Sequence, residues 1–212
     1  MKAARPLFVF LLALTLIGTA AAEPCRSTLS FRAGMASAIQ PHNPSDFPTG
    51  LVMLAAARSV SDRWSLLASA GYLHNTRPEQ LVSIPEIRLT RLDRSESLVP
   101  LALGFRFEAF RHESDRLGVQ IEAAPALYWY RYDFLAKGYD MNHPGSILQV
   151  DWEHRFLPGL QLGVVAPGRL TSVVGWELGV FYHYAQGFER EDGLSFRGMN
   201  HVSLTGGLSV RL

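Results

Sequence analysis

Asn200-His201-Val202-Ser203-Leu204-Thr205-Gly206-Gly207-Leu208-Ser209-Val210-Arg211-Leu212 is the stretch that decides the fold. Val202, Leu204, Gly206, Leu208, Val210 and Leu212 fall on one face, and His201, Ser203, Thr205, Gly207, Ser209 and Arg211 on the other. A period of two is the signature of a strand with one apolar face. A soluble sandwich rarely needs its last strand to run flush to the end of the chain. A closed membrane barrel must pair its final strand with its first, because an unpaired backbone edge in lipid is costly.

Working outward, the same alternation recurs in candidate strands at 27–40, 51–59, 64–74, 98–110, 117–132, 160–166, 172–185 and 200–212, separated by turn signals. The connections alternate in length: 60–63, 111–116 and 167–171 are short, 41–50 and 186–199 medium, 75–97 and 133–159 long. Short turns on one side and long loops on the other is the layout of transmembrane barrels, with turns in the periplasm and loops outside. The expected fold is an all-β, antiparallel, up-and-down transmembrane β-barrel of about eight strands, with a soluble lipocalin-like barrel or sandwich as the alternative. Ser61-Asp62-Arg63-Trp64 and Ser114-Asp115-Arg116-Leu117 suggest one hairpin solution used twice.

Composition agrees. Hydrophobic residues make up 48% of the 212-residue chain and mean hydropathy is +0.07, yet after Ala22 no uninterrupted apolar run has spanning length. The formal net charge of +1 leaves no electrostatic footprint for nucleic acid. Lys2 and Arg5, an apolar run over 7–17 and Ala20-Ala21-Ala22 read as a signal peptide spanning 1–22; the apolar run is too short to span a bilayer as a helix, and an N-terminal membrane anchor is the alternative. The remaining 23–212 then form one domain. Cys25, the only cysteine, has no internal disulfide partner, and Ala22-Glu23-Pro24 is a poor lipobox.

The alternation assigns Leu29, Phe31, Ala33, Met35, Leu66, Ala68, Ala70, Tyr72, Val99, Leu101, Leu103, Phe105, Leu117, Val119, Ile121, Trp176, Leu178, Val180 and Tyr182 to lipid. It assigns Arg32, Gly34, Gly104, Arg106, Glu108, Gln120, Glu122, Glu177, His183 and Arg211 to a polar lumen. A barrel of eight strands is just wide enough for side chains to fill. Arg32, Arg106, Glu108, Glu122, Glu177 and Arg211 are therefore expected to pair as a charge network that plugs it; a narrow ion path is the alternative. Pro100 and Pro125 are expected to mark bulges. Tyr72, Trp129, Tyr130, Tyr132, Tyr182 and Tyr184 are expected to form an outer aromatic belt, and Trp64, Phe107, Phe110 and Trp176 an inner one.

The tail also resembles the C-terminal signal by which the assembly machinery of Gram-negative outer-membrane β-barrels recognises its clients. Thr205, Gly207, Val210 and Leu212 fill it, with Leu212 where an aromatic is usual. The hairpin of 97–107 and 118–127 is similar to the central hairpin of the small outer-membrane β-barrel domain proteins, and the resemblance spans essentially the whole chain. It implies export to the bacterial outer membrane, contact with outer-membrane lipid, insertion by the barrel assembly machinery, and no assigned enzymatic activity. His183-Tyr184-Ala185 ahead of Glu189, Glu191 and Asp192 looks similar to lipid A deacylase barrels. There a Ser nucleophile follows the catalytic His by two positions, and here Ala185 stands in that place. Ser172, Ser195 and His201 form no recognisable triad. His42, His74, His143 and His154 lack ligand spacing, so neither cofactor nor metal is expected. The expected role is structural or surface interaction through the extracellular loops; a narrow pore for small solutes and a lipid-modifying enzyme are the alternatives.

Overall fold

The computed structural model describes residues 27–38, 49–84, 87–112, 117–139, 144–189, 195–196 and 199–212. The segment 1–22, Cys25, His42, His143, Glu191, Asp192 and the Ser114-Asp115-Arg116 turn lie outside them. The strands are β1 (Ser27–Ala38), β2 (Thr49–Ser59), β3 (Trp64–Ile84), β4 (Ile87–Arg111), β5 (Gly118–Tyr139), β6 (Pro144–Arg169), β7 (Val174–Ala185), the short pair β8 (Phe188–Glu189) and β9 (Ser195–Phe196), and β10 (Met199–Arg211).

Eight of them close an antiparallel barrel in the order β1-β10-β7-β6-β5-β4-β3-β2, as the alternation predicts. The closing pair sets Leu29 opposite Val210 and Phe31 opposite Leu208. No strand edge is left open in the ring, so every neighbour supplies backbone partners that lipid cannot. Facing residues of adjacent strands share a side of the sheet. Outward rows carry Phe31, Met35, Leu103, Phe105, Ile121, Val164, Leu178, Val180, Leu204 and Leu208, all large, apolar and exposed. An unbroken apolar band of this extent costs stability in water and is satisfied by hydrocarbon. Arg58 is a cation that the sequence reading left unassigned. Its register opposite Ser27 and Leu66 sets it on the outward row nearest the short turns, where it is nevertheless almost fully covered.

Two expectations about the backbone are corrected. The segments 75–97 and 133–159 are not loops in the main: β3 pairs with β4 as far as Ile84 opposite Ile87, and β5 with β6 as far as Tyr139 opposite Pro144. Because β2 leaves β3 at His74 and β7 leaves β6 at Gly159, the four strands β3 to β6 project past the ring as a sheet of their own. Neither proline makes a bulge. Pro125 faces Leu160 in unbroken register, and the ladders on either side of Pro100 keep one register, with Gly71 leaving room for its ring. Within the ring, the shift falls between Glu108 and Phe110 instead.

The short turns do repeat a solution, although the described partner of the first is not the one expected. In the β2–β3 turn the Val60 and Ser61 amides donate to the Trp64 carbonyl, while the Trp64 amide donates to Ser61 Oγ at 3.2 Å. In the β6–β7 turn the Leu170 and Thr171 amides donate to the Val174 carbonyl, and the Val174 amide donates to Thr171 Oγ1 at 2.9 Å. In both, a hydroxyl one residue into the turn caps the returning strand.

Candidate functional site

The lumen is layered. Ser30 and Arg32 from β1, Arg106 from β4, Glu122 from β5 and Glu177 from β7 meet in its lower half, on the side of the short turns, and all are buried. Arg32 donates Nη1 to Glu122 Oε2 at 3.1 Å and Nη2 to Glu122 Oε1 at 2.8 Å, a bidentate fork. Its Nε donates to Glu177 Oε2 at 2.7 Å, and Ser30 Oγ donates to Glu177 Oε1 at 2.9 Å. Arg106 Nε donates to Glu122 Oε1 at 3.0 Å. Arg106 Nη2 lies 2.8 Å from the same oxygen, paired in charge but not aimed along an N–H, and Nη1 is 3.9 Å from Glu177. Two guanidiniums thus face two carboxylates with no net charge left over. A buried ion pair repays its desolvation only when geometry and further hydrogen bonds are good, and here every carboxylate oxygen has a cation within reach.

Local sequence makes room for this. Gly207 faces Arg32 across the closing ladder, and a Cβ on it would fall 3.0 Å from Arg32 Cγ. Phe181 lies beneath the guanidinium of Arg32, 5.0 Å from its ring centroid to Cζ, a cation–π contact. The ring rests over bare backbone: a Cβ on Gly163 or Gly179 would press into it, at 2.5 Å in the case of Gly179.

Four of the six expected charges converge and two do not. Glu108 and Arg211 face inward, but nearer the short-turn mouth. Glu108 binds Arg111 Nε at 2.5 Å in an i,i+3 pair, while Arg211 lines the rim and is exposed. Alternation sets the face of a residue, not its depth, and Glu108 sits one inward row below Arg106.

The expected polar lumen is corrected in its other half. Ala36, Leu51, Met53, Leu73, Leu98, Ala102, Ala124, Ala126, Tyr128, Tyr130 and Leu157 pack into one buried apolar cluster beyond the charges. Tyr130 therefore belongs to the core and not to an outer belt, as does Tyr128, whose hydroxyl donates to the Leu160 carbonyl at 3.2 Å. Tyr72 and Tyr184 are exposed toward the long-strand end, and Trp64 and Phe110 toward the short turns, as the belts require. Trp129, Tyr182, Phe107 and Trp176 are only part-exposed, and the Tyr132 side chain lies outside the described residues.

Gln161, His183 and His201 share one inward row across β6, β7 and β10. His183 Nε2 is 3.1 Å from Ser203 Oγ, a pairing that sequence spacing did not suggest, since Ser203 is twenty residues away. Nδ1 of this imidazole is buried without a hydrogen-bond partner, so no carboxylate orients the ring, and both residues are sealed inside the lumen. His74 Nδ1 lies 2.9 Å from Ser97 Oγ in an exposed pair, His154 is exposed, and Ser172 sits in the β6–β7 turn. The Ser195 side chain is outside the described residues. Of the tail signal, Thr205 is buried and donates to the Gly179 carbonyl at 3.3 Å, Gly207 packs on Arg32, and Val210 and Leu212 face outward.

The sequence matches no protein-family model and no curated protein. Solved structures do match. Ail, the attachment invasion locus protein of Yersinia pestis, crystallised with the heparin analogue sucrose octasulfate, superposes with a TM-score of 0.55 at 10% identity, covering 90% of this chain and 100% of that one. A major outer membrane protein of Thermus thermophilus gives 0.54 at 12%, with 90% and 100% covered. OprG of Pseudomonas aeruginosa gives 0.51 at 10%, with 89% and 96% covered. At such identities the likeness is one of fold: the chain is an eight-stranded β-barrel of the bacterial outer-membrane type.

Proposed function

We propose that this chain is an outer-membrane barrel closed to solutes, whose role is structural or surface interaction through the sheet that β3 to β6 raise outside the membrane. One observation carries the reading: those four strands stay paired beyond the ring, whereas among the described residues the other four do not. Ten further residues on β3, 75–84, at about 3.4 Å each add roughly 30 Å of strand length. The likeness to Ail and OprG supports outer-membrane placement, with lipid around the apolar band. The segment 1–22 serves export, and Thr205, Gly207, Val210 and Leu212 present the tail to the barrel assembly machinery. The role needs no catalysis and no cofactor. The lumen supports closure, since a charged layer and an apolar layer lie in series across it.

A second reading, a narrow pore for small solutes, is favoured by Ser69 Oγ, Gln120 Oε1 and the Gln161 amide, buried polar atoms without protein partners along the same lumen. One pair of measurements decides. Purified protein in planar bilayers gives no steady current, and an epitope placed at 140–143 is reached by antibody on intact cells while one at Ser172 is not. Stable single-channel currents would establish the pore, and reversed labelling would invert the orientation.

A further inference from the structure

Between the charged layer and the short turns the lumen opens into a vestibule of about 130 Å³, several times what one water molecule needs. Its floor is Arg106 and Glu177, which belong to the neutral four-residue layer. Among the described residues, the other charged groups on its wall are Arg63, Arg111, Arg169 and Arg211 against Asp62 and Glu108, an excess of two positive charges in a recess walled by protein. Low-dielectric walls concentrate such a field and raise the local concentration of anions. One donor on the wall of this space has no acceptor: Arg169 Nε is buried and makes no hydrogen bond. A buried charged donor left unmet is costly, and a guanidinium presents its N–H groups in the geometry an oxyanion accepts.

We infer that the vestibule is a binding site for one small dissolved oxyanion of the phosphate or sulfate class, held by Arg169 and the rim arginines. The anion neutralises the excess charge and supplies the missing acceptor to Arg169 Nε. It enters from the short-turn side, because the charged layer closes the other end. Lipid phosphate has the same chemistry but stands outside the staves of the barrel, so the site draws on solution and not on headgroups. This inference stands whether or not the projecting sheet binds a partner.

The test uses the full folded chain in detergent, with thermal unfolding followed by tryptophan fluorescence in phosphate or chloride at equal ionic strength. Phosphate raises Tm saturably above chloride. Arg169→Gln weakens the apparent phosphate affinity about tenfold or more, the worth of one charge-assisted hydrogen bond. Arg155→Gln, exposed on β6 beyond the ring and away from the vestibule, leaves the response unchanged. Should Arg169→Gln fold poorly, broadening of the phosphate ³¹P resonance by wild-type protein, reversed by sulfate, reads the same site. Equal Tm in phosphate and chloride, or an unaltered response in Arg169→Gln, overturns the inference. So does an Arg169-dependent shift in phosphate-free micelles containing phosphatidylglycerol, which would assign the site to headgroups.

Discussion

Arg32 and Glu122 join opposite walls of the barrel: their two hydrogen bonds, 3.1 and 2.8 Å, run from β1 to β5, strands separated by three others whichever way the ring is followed. Backbone ladders tie each strand only to its neighbours. This fork therefore fixes the cross-section of the barrel in a way that no ladder does.

Removing one end of that fork strands a charge. Arg32→Ala leaves Glu122 with Arg106 alone and Glu177 with Ser30 and a distant Arg106, and should cost about 3–5 kcal/mol, the penalty typical of breaking a buried pair. Arg32→Met with Glu122→Leu leaves one arginine and one glutamate and should recover most of the loss. Urea unfolding in detergent, followed by tryptophan fluorescence, measures both. An Arg32→Ala protein as stable as wild type would show the cluster to be ornamental.

Closure has two layers, so opening one should not suffice. Glu122→Ala alone keeps the lumen shut, because Leu51, Met53, Tyr128 and Leu157 still fill the other half. Glu122→Ala combined with Met53→Ala and Tyr128→Ala should give measurable current in planar bilayers. Steady current from Glu122→Ala alone would mean that the apolar layer is no seal.

The ring was legible because lipid on one side and a packed lumen on the other enforce period two along every stave, from Leu29 to Val210. The projecting strands were not. Above the membrane no hydrocarbon selects an apolar face, so Thr90-Arg91-Leu92-Asp93-Arg94-Ser95-Glu96 reads as a loop although it pairs residue by residue with β5. The apolar layer was hidden for a related reason. Leu51-Val52-Met53-Leu54-Ala55 is apolar on both faces, and alternation carries no information where both faces match. Arg32, Arg106, Glu122 and Glu177 could be assigned a face, and their meeting followed from depth, which only the strand registers supply.

The bare backbone under Phe181 gives a packing prediction. Gly179→Ala drives a methyl to within 2.5 Å of the ring, and the ring face is covered by the Arg32 guanidinium, so it has little freedom to yield. The overpacking should cost about 1–3 kcal/mol. Gly179→Ala with Phe181→Leu should regain part of it. Unchanged stability of Gly179→Ala would show that the ring moves freely, and would weaken the case for a rigid charged layer beside it.

The tail separates recognition from solvation. Leu204 is two-thirds exposed in the middle of β10, whereas Val210 and Leu212 lie at its end, near the short turns and the membrane boundary. A lysine or arginine on the lipid face costs about 2–4 kcal/mol at mid-bilayer but only about 0–1 near an interface, and acids cost less. Leu204→Arg should therefore lose stability when refolded in lipid vesicles. The double variant Val210→Asp, Leu212→Asp should lose about 1 kcal/mol or less there, because the Leu212 amide still donates to the Ser27 carbonyl at 2.9 Å. In cells the order should reverse in kind: if the tail is read by the assembly machinery as proposed, the double variant fails to accumulate in the outer membrane. Normal membrane levels and normal heat-modifiable mobility of the double variant would remove the tail from recognition, and a large loss in vesicles would show that Val210 sits deeper in lipid than its place on the strand indicates.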